Sequence, residues 1–196
     1  MLAFPSTYSV GITSLGYQIV WATLAQRSDV DVRRLFTDQG DAMPRHIDLF
    51  GLSLSWELDG PVLPELLQNQ RIPVWALERG DEDPIVFGGG PVLTANPEPL
   101  APFFDAVLLG DGELLLPAFI DALQNCREAP RAERLRQLAQ VPGVYVPSLY
   151  APQYDPNGEL IGVEPIDPAV PAQVEKQTWR GHTPVSYTHL TLPTKA

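Results

Sequence analysis

The feature that most constrains this chain is an alternation along its first two thirds. Short apolar runs stop at glycine, proline or small polar residues, and each leads into a longer stretch with helical spacing. The segment Asp48-Leu49-Phe50-Gly51-Leu52-Ser53-Leu54 is apolar almost throughout. A strand has that texture when both its faces are covered, because polar residues need alternate in only where one face meets water. Pro84-Ile85-Val86-Phe87 is a second such run, stopped by Gly88-Gly89-Gly90-Pro91, and Asp105-Ala106-Val107-Leu108-Leu109 is a third, running into Gly110-Asp111-Gly112-Glu113. The helical stretches are about 58–70, with Leu63, Leu66 and Leu67 inward, and from Glu113 to about Asn125, with Leu115, Phe119, Ala122 and Leu123 as a core stripe. Upstream, Tyr8 to Thr13 reads as the first strand, entering a helix near Tyr17 to Gln26 through Ser14-Leu15-Gly16, and Val30 to Phe36 reads as the second.

Repeated βα units of this kind predict an α/β fold: a flavodoxin-like (Rossmann-like), doubly wound, mainly parallel five-stranded sheet. That domain is expected over 1–129. From 130 to 184 the texture changes to a charged helix with Arg131, Glu133, Arg134 and Arg136, an edge strand within Val141 to Pro147, a hairpin turning at Asp155-Pro156-Asn157-Gly158, and an extended linker. Residues 185–196 match the translation of a transposase adapter from sequencing libraries, so this tail is expected to be non-native and the natural sequence to be cut near Thr183.

Composition narrows the function classes. A hydrophobic content of 44% in 196 residues is enough to bury a core. The net charge of −11 opposes binding that relies on neutralising phosphates, which disfavours nucleic acid as a partner. The single cysteine, Cys126, forms no disulfide and holds no zinc or iron–sulfur centre alone. No apolar run reaches membrane-spanning length and no leader pattern precedes the first strand, so the expected location is cytoplasmic, with no membrane partner.

In open parallel sheets ligands sit beyond the carboxyl ends of the strands, where loops diverge and helix N-termini offer free N–H groups. Here those loops contain Thr13, Ser14 and Gly16; Ser53, Leu54, Ser55, Trp56 and Glu57; Gly88, Gly89 and Gly90; and Gly110, Asp111, Gly112 and Glu113. Glycines admit a bulky flat ligand to the backbone, and the serine hydroxyls can bond polar groups on its rim. Each glycine can also be explained by its own turn. Four such loops on one edge favour a ligand site.

Three of these segments, Phe50 to Leu58, Pro84 to Pro99 and Phe104 to Glu113, resemble in order and spacing the cobalamin-binding domain of radical S-adenosylmethionine (radical SAM) proteins, in a branch common in bacteria including cyanobacteria. The resemblance spans roughly Tyr8 to Arg180. It implies a corrinoid over the carboxyl edge of the sheet, with its nucleotide tail directed between Ser53-Leu54-Ser55 and Gly88-Gly89-Gly90. It also implies a following barrel, against which this module docks, where a CxxxCxxC motif binds a 4Fe-4S cluster and S-adenosylmethionine. That motif is absent here, so catalysis is not expected of this chain alone. No Asp-x-His-x-x-Gly follows the first strand, and Thr13-Ser14-Leu15-Gly16 occupies its place. Either cobalamin binds without a protein histidine, or the domain is a flavodoxin-like scaffold that docks partners and has lost the ligand.

Other candidates carry less. His46, His182 and His189 read as surface or tail residues, and Asp81-Glu82-Asp83 as a solvated turn rather than a metal site. Trp21 and Trp75 read as packing residues, whereas Trp56 follows the Ser-Leu-Ser strand end and is a candidate ligand contact. Arg127, Arg131, Arg134 and Arg136 read as one solvated face, or as a docking surface for the barrel.

Overall fold

A computed structural model describes residues 1–180. The adapter-like tail, with His182 and His189, lies outside the described residues. Five parallel strands form the central sheet in the order β2-β1-β3-β4-β5: β1 (Leu2–Ala3), β2 (Arg34–Leu35), β3 (Leu49–Ser53), β4 (Ile85–Gly89) and β5 (Ala106–Leu108). A sixth strand, β6 (Val144–Tyr145), adds antiparallel to β5 at the edge, where the Val141–Pro147 segment was expected. The order 2-1-3-4-5 is the flavodoxin-like arrangement, which reverses direction between β1 and β3.

Pleating sends alternate residues to opposite faces, and each face has its own helices. Leu2, Ile85, Phe87, Ala106 and Leu108 point into one core layer. There they meet Tyr17 and Leu24 of α2 (Leu15–Ala25), Leu115 to Leu123 of α5 (Gly112–Asn125) and Leu135 and Leu138 of α6 (Arg131–Leu138). Ala3, Phe50, Leu52, Val86 and Val107 point the other way, onto α3 (Leu63–Asn69) and α4 (Pro91–Ala95). The two interior glycines of β3 and β4 serve this packing. A Cβ on Gly51 would lie 2.5 Å from the Phe87 ring, and one on Gly88 would lie 2.5 Å from Leu93 and 2.6 Å from Phe104.

The first strand is not where the alternation placed it. Tyr8 to Thr13 contains a short helix, α1 (Tyr8–Gly11), and the strand is Leu2–Ala3. Leu2, Ala3 and Phe4 are buried, whereas Tyr8, Ser9 and Val10 are exposed, so burial rather than alternation marks the strand. Gly11 brings α1 against Phe4 and Phe36 more closely than any Cβ would allow. The expected helix at 58–70 is divided into a 3-10 segment, Glu57–Val62, which contains Gly60-Pro61, and α3. Proline lacks the N–H that a continuous helix would use there. β4 runs on through Gly88 and Gly89, which pair with Leu52 and Ser53, so the regular structure ends only at Gly90.

The expected hairpin is β7 (Tyr150–Tyr154) and β8 (Leu160–Pro165). Asp155 accepts hydrogen bonds from the backbone N–H of Glu159 and from the backbone and side-chain N–H groups of Asn157, and these bonds, that of Glu159 foremost, hold its carboxyl below the usual range.

Arg131 contradicts its sequence reading as part of a solvated face, whereas Arg127 and Arg136 are exposed as that reading had them. Arg131 is buried: its guanidinium lies 2.7 Å from Asp105 and donates to the carbonyls of Gly80, Asp83 and Pro84. Arg134 donates to the Asp81 carbonyl, Arg127 pairs with Asp48, and Arg136 pairs with Asp167. The 80–84 loop presents carbonyls that no ladder satisfies, and planar guanidinium groups supply several donors to them at once.

Candidate functional site at the carboxyl edge of the sheet

The ends of β1, β3, β4 and β5 and the N-termini of α2 and α5 enclose a crevice of about 610 Å³. It opens beside the β1–β3 reversal, the place where open α/β sheets hold their ligands. Its floor and one wall are apolar: Leu2, Leu52, Phe87 and Leu108 come from the sheet, Leu15, Ile19 and Val20 from α2, and Leu116 from α5. Polar groups converge at the rim: Ser53 and Ser55 after β3, Thr94 on α4, Asp111 and Glu113 opening α5, and Lys176 from the C-terminal segment.

Of the residues expected at this edge, Gly16, Ser53, Ser55, Gly89, Gly90, Gly110, Asp111, Gly112 and Glu113 line the crevice. The others lie elsewhere. The Thr13 hydroxyl donates to the Val10 carbonyl, and the Ser14 hydroxyl accepts from the Tyr17 N–H at the start of α2. Leu54 is buried in the opposite core layer, and Gly88 is covered by Leu93 and Phe104. Trp56 and Glu57 are exposed, and the backbone N–H of Trp56 donates to Asp59. The loop that follows the first strand is Pro5-Ser6-Thr7, not Thr13-Ser14, and it contains no histidine. His46 is exposed beside Asp48, at the opposite edge of the sheet.

The glycines divide by physical cause. Gly90 has φ +111° and a Cβ there would lie 2.2 Å from the Leu54 carbonyl oxygen. Gly110 has φ +131° and a Cβ would lie 2.0 Å from the Gln177 oxygen. Both are required by the chain itself. Gly16 has nothing within 4 Å of its Cβ position and Gly89 has only contacts of 3.8 Å, and neither has a positive φ. Gly16 also sits inside a helix, where glycine costs about 1 kcal/mol relative to alanine. Both face the crevice, so the missing side chains keep it open.

The rim is completed by a strap. Gln177 pairs in parallel with Gly110, its N–H donating to the Leu109 carbonyl at 2.9 Å and its own carbonyl accepting from Asp111 at 3.0 Å. The Asp111 carboxylate accepts from the Trp179 N–H at 2.8 Å, so it is turned to the strap and makes no side-chain cap on α5. Sequence reading had only an extended linker here. A pairing made by backbone groups leaves no side-chain signature.

In the core layer behind the crevice, Tyr17 donates its hydroxyl to the Leu2 carbonyl at 3.0 Å, and burial pushes its phenol well above the ordinary value. It is therefore a fixed neutral strut between α2 and β1. Among the described residues no group of three or more His, Cys, Asp or Glu side chains could hold a metal ion, and no helix is long and apolar enough to cross a membrane.

A family model described as radical SAM proteins, N-terminal, matches residues 35–147, more than half of the chain. The matched stretch contains β3 to β5, the Ser53-Leu54-Ser55 and triple-glycine loops, and α5. No curated protein and no solved structure matches the chain.

Proposed function

The chain belongs to the radical SAM proteins, of which it carries the N-terminal domain, and from that premise we propose that it is the corrinoid-holding module of such a protein. The family implies a 4Fe-4S cluster and S-adenosylmethionine in the whole protein. The residues here do not fit that cluster, which takes several thiolates, because Cys126 is the only cysteine and lies half-buried at the end of α5. Radical chemistry therefore belongs to a barrel beyond this domain, against which the module docks.

The observation that carries the corrinoid reading is the pair Gly16 and Gly89. Neither is needed for a turn or for packing, yet both keep the crevice free of side chains. Such a space would suit a nucleotide tail: Leu15, Ile19 and Phe87 would hold its base, and Ser53, Ser55 and Thr94 could bond its polar groups. A bound corrinoid supplies cobalt chemistry, and the chain's own contribution is to hold and orient it and to exclude water from its inner end. Among the described residues no histidine lines the crevice.

Titrating the purified chain with hydroxocobalamin, followed by visible absorbance, is expected to give a saturable change at one ligand per chain. A spectrum that stays the sum of its components at high ligand concentration would instead favour a scaffold that no longer binds a corrinoid.

A further inference from the structure

Lys176 is the only lysine among the described residues, and it lines the crevice mouth. The chain is acidic, with a net charge of −11, and eight of its arginines have a carboxylate partner, from the buried Arg79 and Arg131 to the exposed Arg33 and Arg127. Among the described residues Lys176 has no carboxylate within salt-bridge distance, although Asp111 and Glu113 lie in the same wall. Among the described residues no arginine lines the crevice, and Lys176 is the one cation in its lining.

The position of Lys176 is fixed by its neighbours. Gln177 is tied by two backbone hydrogen bonds to Leu109 and Asp111, and Trp179 is tied to the Asp111 carboxylate. Gly143, at φ +82°, leaves room for the Gln177 side chain, which would lie 2.6 Å from a Cβ there. The backbone of the strap is thus held just after Lys176, and Val174 packs against the core just before it, while among the described residues no carboxylate engages the ammonium.

We propose that Lys176 is the anion-recognising residue of the crevice, and that the group it recognises is the phosphodiester in the nucleotide tail of the ligand. This rests on the corrinoid reading and refines it. An ammonium pairs with phosphate as a point charge and needs no bidentate geometry. The two carboxylates of the same wall repel an anion, so a phosphate is accepted at this mouth only with Lys176 beside it. Strap and ligand are then linked: the ligand holds Lys176, and Lys176 belongs to the strap that Gln177 and Trp179 tie to the end of β5 and the start of α5.

The test compares cobalamin with a cobinamide, which keeps the corrin ring and lacks the phosphate and base, on the full chain and on Lys176→Met and Lys176→Arg variants. The wild-type chain is expected to prefer cobalamin, and Lys176→Met to lose about tenfold in cobalamin affinity with cobinamide affinity unchanged, the size of one charge-assisted contact. Lys176→Arg is expected to restore most of it. Equal loss for both ligands, or unchanged cobalamin affinity in Lys176→Met, would overturn the proposal and leave the corrinoid reading standing. Failure of both ligands to bind the wild-type chain would overturn both.

Discussion

Replacing Asp105 by alanine is expected to lower the stability of the chain by about 3–5 kcal/mol, the cost of leaving buried charges without their partner. Its side chain is 1% exposed and lies 2.9 Å from Arg79 and 2.7 Å from Arg131, whose side chains are 0% and 8% exposed. It also accepts the Val86 N–H at 2.7 Å, so it joins two guanidinium groups to β4. Burial pulls the Arg79 guanidinium below its ordinary pKa, and the Asp105 charge opposes that shift. Arg79 in turn donates to the carbonyls of Pro73, Val74 and Phe103, so the cluster ties the 73–84 loop to the sheet at the edge away from the crevice. Chemical denaturation measures the loss. A change of about 1 kcal/mol or less, typical of an exposed pair, would contradict this account of the cluster.

Gly90→Ala carries the second large effect. With φ +111° and ψ 175° Gly90 occupies a region that is essentially restricted to glycine, which alone costs about 1–3 kcal/mol for another residue. The added methyl would also lie 2.2 Å from the Leu54 oxygen, and relieving that contact pulls at the Leu54 N–H to Gly89 carbonyl bond of 2.9 Å. The expected total is at least about 2 kcal/mol, together with loss of ligand binding, because the crevice floor moves. Gly158→Ala is the comparison. Its φ of +85° is also unfavourable, but the hairpin tip is open space, so only the backbone cost of about 1 kcal/mol is expected. Thermal melts of the two variants check the difference, and equal losses would show that the contact with Leu54 carries nothing.

The contrast between these elements explains what could be read from the chain. β3, β4 and β5 are covered on both faces, so their residues had to be apolar in sequence, and they were found within two residues of their ends. β1 is only Leu2–Ala3, too short to show a period, and it is interior because β2 and β3 pair with its two edges and the two core layers cover Leu2 and Ala3. The loops around the crevice were legible because glycines and serines cluster where a parallel sheet ends. The roles of the individual glycines were not, because sequence does not distinguish Gly90, required by its backbone angle, from Gly89, which is not. Arg131 shows the opposite failure: a charged residue on a charged helix reads as solvated, and only the loop carbonyls that fold over it make it interior. Lys176 was passed over because its position depends on a backbone pairing between distant segments.

Gly16→Leu tests the proposal that the crevice between α2, α5 and the Ser53 and Gly89 strand ends holds a corrinoid. Nothing within 4 Å meets a Cβ at Gly16, and helical leucine is favoured over glycine by somewhat under 1 kcal/mol, so the variant is expected to fold with undiminished stability. Its side chain would enter the crevice that the missing Cβ leaves open. Titration with hydroxocobalamin beside the wild-type chain is predicted to show at least about tenfold weaker binding at an unchanged or higher melting temperature, since a filled pocket excludes its ligand. Wild-type affinity in the folded Gly16→Leu chain would place any corrinoid outside this crevice and contradict the account.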